Sequence, residues 1–253
     1  YDEGERAYNT TYKYHLTEFG FSDVWYKNLR FGLGLRFEYY KYKDFLFKKP
    51  ELTGLDVESE HFLSYFAQVY YSTFDKGYFP SKGTEFKAAY SLYTDNMAQY
   101  NDHAPFSALS GSWASVVPVT RRFSIIPSIY GRVLIGKDIA YPLQNAIGGE
   151  VYGLYIPQQL PFAGVTNMEL MDNSIMIASV KLRQRMGSIH YLTLTGNYGL
   201  TDSHFFEILK GKQLFGISAG YGMDSMFGPL EITFGYSNQT DKGSCYVNLG
   251  YYF

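Results

Sequence analysis

The sequence predicts an all-β fold, a transmembrane antiparallel up-and-down β-barrel, and three observations lead to this prediction. Apolar residues alternate with small or polar residues in run after run, as in a strand with two different faces. Aromatic residues make up 19% of the chain, as in barrels whose aromatic girdles lie at both bilayer interfaces. Uninterrupted apolar runs are short, far below the roughly 20 residues that a membrane-spanning helix needs.

Residues 243–253 show the alternation most clearly. Cys245, Val247, Leu249, Tyr251 and Phe253 fall on one face of a strand, which predicts lipid on that face and a polar lumen on the other. A terminal Phe253 with Tyr251 two residues before it has the usual form of a barrel-assembly signal. We therefore expect the barrel-assembly machinery as a partner, and the outer membrane of a Gram-negative bacterium as the location.

Ten strands are predicted from Leu29 onward, most of them close to the roughly 9 to 11 residues that a tilted strand needs to cross a bilayer. Tight turns alternate with long loops, so the last strand descends to a periplasmic C-terminus. By the same alternation, residues 8–16 form one more descending strand. The clearest strand turns these residues outward: Leu29, Phe31, Leu33, Leu35, Phe37 and Tyr39.

About 10 to 12 strands are thus expected in one barrel domain that covers residues 1–253. Because an open sheet edge in lipid would leave backbone groups unpaired, we expect this domain to be the C-terminal part of a barrel of about 16 strands. Residues 1–20 contain no basic-then-apolar signal segment. We expect that such a segment was removed or that the chain starts inside a longer precursor.

Several cations have the parity of the lumen face. We expect them to form a network with Glu38, Glu85 and Glu231 and with an inward-folded loop; the alternative is an anion-attracting pore. A formal net charge of -2 gives no reason to expect nucleic acid as a partner. The inward cations are Arg30, Arg36, Arg132, Lys181, Arg183 and Arg185.

The long loop at residues 137–173 is predicted to fold back into the barrel, because its apolar and aromatic content is too high for a freely solvated loop. Its expected polar partners are the cations of the following strand, Lys181, Arg183 and Arg185, which loop carbonyls, Tyr hydroxyls and Glu150 can satisfy. A tight backbone path for this packing is expected at Gly148, Gly149 and Gly153.

A serine-hydrolase motif, G-x-S-x-G, occurs at residues 216–220. A nucleophile elbow needs a strand, a sharp turn and a helix, whereas Ser218 lies inside a run of period two with no helix after it. We expect Ser218 to be structural. The five histidines are scattered without ligand spacing, so we expect neither a metal nor another cofactor.

Three segments carry a family resemblance. They are G-P-L-E-I-T-F-G-Y-S at 228–237, Y-F-P-S-K-G-T at 78–84 and I-G-G-E-V-Y-G-L-Y at 147–155, which contains Gly148, Gly149, Tyr152 and Gly153. Together they resemble the bacterial surface antigen superfamily, which includes BamA-type assembly factors and two-partner secretion transporters. In translocating members the loop tip carries an arginine where this chain has Tyr152, so the salt bridge of that arginine to the barrel wall cannot form in its usual way.

A closer resemblance links residues 158–164, 182–187 and 221–230 to the barrel region of patatin-like phospholipases from Bacteroidetes. It implies that the barrel is the membrane anchor, and a possible conduit, for a patatin-like lipid hydrolase encoded upstream, while this chain itself catalyses nothing. The alternatives are an assembly or secretion factor, a passive diffusion channel and a soluble β-sandwich lectin. Expected partners are outer-membrane lipids and lipopolysaccharide, and either other outer-membrane proteins or a second copy of the chain.

Overall fold

Alternating residues build most of the described part of the chain into strands. The computed structural model describes residues 8–47, 60–96, 98–149, 156–166, 168–240 and 242–250. Eleven strands form one antiparallel sheet in chain order, and three short strands in a long loop form a second sheet. The large sheet contains β1 (Tyr8–Tyr26), β2 (Leu29–Phe47), β3 (Glu60–Ser72), β4 (Gly83–Thr94), β5 (Phe106–Pro118) and β6 (Phe123–Ile135). The small sheet contains β7 (Asn145–Ile147), β8 (Gln159–Leu160) and β9 (Leu170–Asp172), and the large sheet continues with β10 (Ser174–Met186), β11 (His190–Asp202), β12 (Lys212–Ser225), β13 (Gly228–Ser237) and β14 (Gly243–Leu249).

Each strand of the large sheet pairs with the next one along the chain, apart from β6, which pairs with β10 across the long loop. The ten predicted strands from Leu29 onward and the all-β fold are confirmed. The first strand continues to Tyr26, well past the predicted end at Leu16. The small sheet was not predicted; in it, β7 pairs in parallel with β8 and antiparallel with β9.

The two faces of the large sheet differ as the alternation predicts. Outward positions carry exposed apolar side chains, whereas the opposite positions carry buried polar ones such as Ser64, Thr193 and Glu231. Apolar exposure on one face suits contact with lipid. No helix in the described part of the chain is long and apolar enough to cross a bilayer. The outward set includes Leu33, Phe37, Phe86, Tyr90, Ile129, Val180, Leu192, Phe215, Phe234 and Val247.

The connections sort into two ends of the sheet, because successive strands are antiparallel. At one end, which we call the turn end, lie the short connections at residues 27–28, 119–122, 187–189 and 226–227, together with the longer turn at residues 73–82. At the other, the loop end, lie the longer connections at residues 95–105, 136–173 and 203–211, the last with a 3-10 helix over Phe205–Lys210.

The core lies on the inner face and is shared between strands and the long loop. One cluster packs Tyr40, Phe62, Tyr93 and Phe106 around Leu143 of the loop. A second cluster joins three other loop residues, Ile147, Phe162 and Val165, to Ile175 and Ile177 of β10 and Leu214 of β12. Burial of such a side chain stabilises a fold by roughly 1.5–3 kcal/mol, so the loop is part of the hydrophobic core.

Candidate functional site in the barrel lumen

The long loop is a folded unit, which we call the plug: the described residues between 136 and 173. A 3-10 helix at Tyr141–Leu143 precedes β7, and β7 to β9 give the plug its own sheet. Gln159, which is buried, donates a hydrogen bond of 2.6 Å from Nε2 to the Gly148 carbonyl. The plug therefore has internal backbone pairing of its own.

The tip of the plug packs on glycines of the wall. Phe162 is 1% exposed, and a Cβ atom added at Gly199 would lie 2.9 Å from its ring. At Gly235 an added Cβ atom would lie 2.7 Å from the backbone nitrogen of Gly164, which has a φ of +80°. Wall glycines thus leave the space that the plug fills. No sequence pattern indicated that Gly199 and Gly235 contact the plug.

Polar contacts fix the plug to β6. Arg132 donates from Nη1 to the Leu143 carbonyl at 2.8 Å and to Asn145 Oδ1 at 2.6 Å. The fully buried Asn145 in turn donates from Nδ2 to the carbonyl oxygens of Arg132, at 2.9 Å, and Asn173, at 2.8 Å. Because buried polar groups are costly when unpaired, this exchange of hydrogen bonds specifies one position for the plug.

One short segment of the plug reaches strands at both sides of the sheet. Gln158 Nε2 donates a hydrogen bond of 2.7 Å to the Tyr40 hydroxyl on β2. The Tyr246 hydroxyl on β14 donates a hydrogen bond of 2.9 Å to the Val165 carbonyl. In the sheet order β2 and β14 are nine strand steps apart, about 43 Å on a flat sheet with roughly 4.8 Å per step. Seven residues of fully extended chain cover only about 25 Å. The sheet therefore curves around the plug.

Among the described residues, the network expected on the lumen face consists of several local groups of contacts. Glu38 accepts hydrogen bonds of 3.0 Å from two tyrosine hydroxyls, those of Tyr14 and Tyr40. Glu85 lies 2.9 Å from Lys87 and accepts a bond from Tyr70. Arg30, at 5.9 Å from the centroid of the Tyr70 ring, belongs to the same group as Glu85. Arg36 pairs with Glu18 at 3.0 Å, and Lys181 pairs with Glu231 at 4.0 Å.

The hydrogen bonds described for the arginines of β10 lead to turns. The described hydrogen bonds of Arg183 and Arg185 go to carbonyl oxygens of turns, Pro80 for the first and Arg121, at 3.2 Å, for the second. Arg132, on the strand before the loop, makes the described cation contacts to the plug. The reason is distance, because β10 leaves the plug at Ser174 and a rise of about 3.3 Å per residue carries Arg185 to the turn end. Glu150 lies outside the described residues.

The remaining predicted site residues fall into two groups: two glycines in the plug, and four residues outside the described part of the chain. Gly148 and Gly149 lie in the plug with φ values of +127° and +81°, where their amides donate to the carbonyl oxygens of Leu160 and Val165 at 2.9 and 3.0 Å. The left-handed backbone suits glycine at both positions. Tyr152, Gly153, Tyr251 and Phe253 lie outside the described residues.

Ser218 lies inside β12 and is paired on both sides, with Thr195 of β11 and Gly235 of β13. The strand continues to Ser225, so the motif has no sharp turn at the serine. A nucleophile elbow has a strand, turn and helix, and the backbone here is a continuous strand.

Two cavities remain inside the curve of the sheet. One, of about 210 Å³, lies between the plug at Pro161 and the β3–β4 turn at Phe79, with Lys181, Ser218 and Glu231 among its wall residues. The Phe79 ring stacks on Tyr191 at 4.3 Å on the side of this cavity that faces the turn end. A second cavity, of about 580 Å³, lies along β2 to β6 and is lined by residues that include Arg30, Gln68 and Lys87. The plug therefore occupies one side of the lumen.

The model of the OMP85 superfamily matches residues 5–253. Among solved structures, the chain is similar to BamA from Haemophilus ducreyi lacking POTRA domains 1–3, with a TM-score of 0.65 and 12% identity. That match covers 98% of this chain and 56% of the solved BamA chain, so the present chain spans little more than half of that solved chain. No curated protein sequence matches the chain.

Proposed function

We propose, because the chain belongs to the OMP85 superfamily, that it forms a plugged barrel of the bacterial outer membrane which anchors a patatin-like lipid hydrolase. The observation that carries the anchor role is the plug, which is tied to strands from β2 to β14. A structured loop inside the lumen restricts conduction, and a barrel that only anchors a domain in the membrane needs no open lumen. A conduit needs the plug to leave the lumen.

The cost of moving the plug supports this proposal. Release of the plug exposes Phe162 and Val165, and it removes the hydrogen bonds between Asn145 and Arg132 of the wall. Each buried apolar side chain contributes roughly 1.5–3 kcal/mol and each hydrogen bond about 0.5–1.5 kcal/mol. The plugged state is therefore the ground state of the lumen.

The identity of the anchored domain rests on sequence resemblance. Residues 158–164, which include the plug tip, resemble the barrels of patatin-like phospholipases, as do residues 182–187 and 221–230. In this proposal the hydrolase nucleophile belongs to the attached domain, since Ser218 lies in a continuous strand. Membrane lipids and lipopolysaccharide surround the barrel, and the assembly machinery inserts it.

The second candidate is an assembly or secretion factor of the BamA type. Membership of the superfamily favours it. The tyrosine at position 152, where translocating members have an arginine, favours the anchor. A third candidate, a passive diffusion channel, is favoured by one observation, the cavity of about 580 Å³ along β2 to β6.

Three measurements on the complete protein distinguish the candidates: fatty acid release in liposomes, conductance in a planar bilayer, and insertion of a barrel substrate into liposomes. An anchored hydrolase releases fatty acid from the phospholipid and gives no steady conductance in a planar bilayer. An assembly factor instead accelerates insertion of an unfolded outer-membrane barrel substrate. Faster insertion without fatty acid release contradicts the anchor proposal, and a stable ion conductance from the wild-type protein contradicts the plugged lumen.

A further inference from the structure

A strongly basic pocket opens at the turn end of the lumen, next to the cavity of about 210 Å³, with which it shares Phe79 and Arg183 as lining residues. Its volume is about 400 Å³, within the range of small-molecule sites. No Asp or Glu is among the described residues that line it. Two connections and the end of strand β10, which are far apart in sequence, supply its six cations: Lys76, Lys82, Arg121, Arg122, Arg183 and Arg185.

The arginines of this pocket are held in place by the backbone. Arg185 donates its amide to the Arg122 carbonyl at 2.7 Å and its Nη2 to the Arg121 carbonyl at 3.2 Å, which joins β10 to the β5–β6 turn. Within that turn, Thr120 Oγ1 accepts the amides of Arg122, at 3.2 Å, and Phe123, at 2.9 Å. The Arg185 side chain is therefore prearranged against the turn that carries Arg121 and Arg122, and it needs little ordering when a ligand binds.

One donor of the pocket has no partner. Arg185 Nε is buried and makes no hydrogen bond to any described residue. A buried, charged donor without a partner is costly, and the neighbouring Arg121 and Arg122 add like-charge repulsion. A bound anion relieves both costs.

The nearby acidic side chain, Asp75, is engaged within its own turn. Its carboxylate accepts hydrogen bonds from the Ser81 hydroxyl, from the Ser81 amide at 2.7 Å and from the Lys82 amide at 3.3 Å. Asp75 thus orders the β3–β4 turn that carries Lys76 and Lys82, and it is not among the residues that line the pocket.

We propose that this pocket binds a phosphate-bearing ligand, either the headgroup of a membrane lipid or a soluble phosphorylated molecule. A phosphate group concentrates about 1.5 to 2 negative charges in one tetrahedron, and guanidinium groups bind its oxygens in a fork-like geometry. An acidic polypeptide instead spreads single charges along an extended chain. Six cations around about 400 Å³ suit the compact charge of phosphate. The inference does not depend on the proposed anchor function.

The probe is inorganic pyrophosphate, titrated by calorimetry into the full chain in a zwitterionic detergent. We expect the wild type to bind it, and the double variant Arg121→Gln/Arg122→Gln and the single variant Arg185→Gln each to weaken binding about tenfold or more, since charge-assisted hydrogen bonds are lost. The matched control is Lys137→Gln/Lys210→Gln, which removes two exposed charges at the loop end and leaves binding unchanged. Heat-modifiable gel mobility verifies that each variant is folded.

A second arm separates the two sources of phosphate. Phosphatidic acid in mixed micelles that stays bound in native mass spectrometry and displaces pyrophosphate identifies a lipid headgroup, with phosphatidylcholine as the neutral-headgroup control. Pyrophosphate binding without retained phosphatidic acid identifies a soluble ligand. The proposal is overturned if neither probe binds, if the arginine variants bind as the wild type does, or if polyglutamate binds more tightly than pyrophosphate.

Discussion

The Tyr130 hydroxyl on β6 donates a hydrogen bond of 2.7 Å to the carbonyl oxygen of Pro161 in the plug. Asn197 Nδ2 on β11 donates a hydrogen bond of 3.1 Å to the same hydroxyl. One tyrosine oxygen thus links two strands and the plug. This relationship explains why the plug tip has one position on the wall.

Replacing Tyr130 with phenylalanine removes this link. The Pro161 carbonyl and the Asn197 amide then lose a described partner, and we expect the free energy of unfolding to fall by about 1–3 kcal/mol. The measurement is the urea midpoint of the detergent-solubilised protein. Tyr90→Phe is the matched control, because that hydroxyl pairs with Ser107 at an exposed site and its loss has a small effect. Equal midpoints for the two variants would contradict the buried link.

A methyl group on the wall tests the close approach of the plug. In Gly235→Ala the new Cβ atom meets the backbone nitrogen of Gly164 at 2.7 Å, so either the plug or the strand shifts. We expect a loss of about 1–3 kcal/mol of stability, the usual cost of overpacking. Gly196→Ala, at a site with nothing within 4 Å of the new atom, is the control and leaves stability almost unchanged. Trypsin digestion of the folded protein reports whether the plug has moved.

The β3–β4 turn has a predictable pH dependence. Burial acts to raise the pKa of Asp75, but hydrogen bonds from Ser81 and Lys82 outweigh it and lower the pKa below its usual value. The folded pKa thus lies below that of the unfolded chain, which is about 3.9. Asp75 therefore stabilises the turn above that pH, and the contribution disappears as the pH falls through the folded pKa.

Comparison of the wild type with Asp75→Asn measures this contribution. We expect the wild type to be the more stable protein at pH 6, and its advantage to shrink as the pH falls below about 4. Denaturant midpoints over this pH range give the difference. A constant difference between the two proteins from pH 6 to pH 2 would show that Asp75 does not titrate in this way.

Ser218→Ala tests whether the hydrolase-like motif has a chemical role. The serine is 5% exposed inside a strand, so we expect any lipid hydrolysis by the complete protein to be unchanged. The assay is fatty acid release from phospholipid vesicles by folded wild type and variant. Loss of release with the barrel still folded would assign the nucleophile to this chain.

Much of the fold could be predicted from the sequence, because lipid outside and a polar lumen inside impose the period of two that reveals a strand. The pattern weakens beyond Leu16, where Thr17 and Asp23 interrupt the outward face. Pairing with β2 nevertheless extends β1 to Tyr26, and the Glu18–Arg36 ion pair lies within this extension. Pairing with β2 therefore determines the length of β1, where the local sequence pattern is weak.

The site was less predictable, because its contacts join distant parts of the chain. Composition indicated that the loop folds inward, but no local pattern shows that Phe162 packs on Gly199 or that Arg132 binds Asn145. The basic pocket could have been predicted from the sequence. Connections at the same end of an up-and-down sheet lie together, so the charges of residues 73–82 and 119–122 could have been combined.

Thiol accessibility of the plug tip tests the central claim, that a folded loop occupies the lumen. Ala163→Cys places a small thiol at a site that is 5% exposed, and Phe206→Cys places a control thiol at a site that is 87% exposed at the loop end, both in a Cys245→Ser background. A bulky polymer-linked maleimide is added to the folded protein in detergent, and again after denaturation. The account predicts rapid labelling of the Phe206→Cys variant, and labelling of the Ala163→Cys variant only after denaturation. Equal labelling rates in the folded state would contradict it.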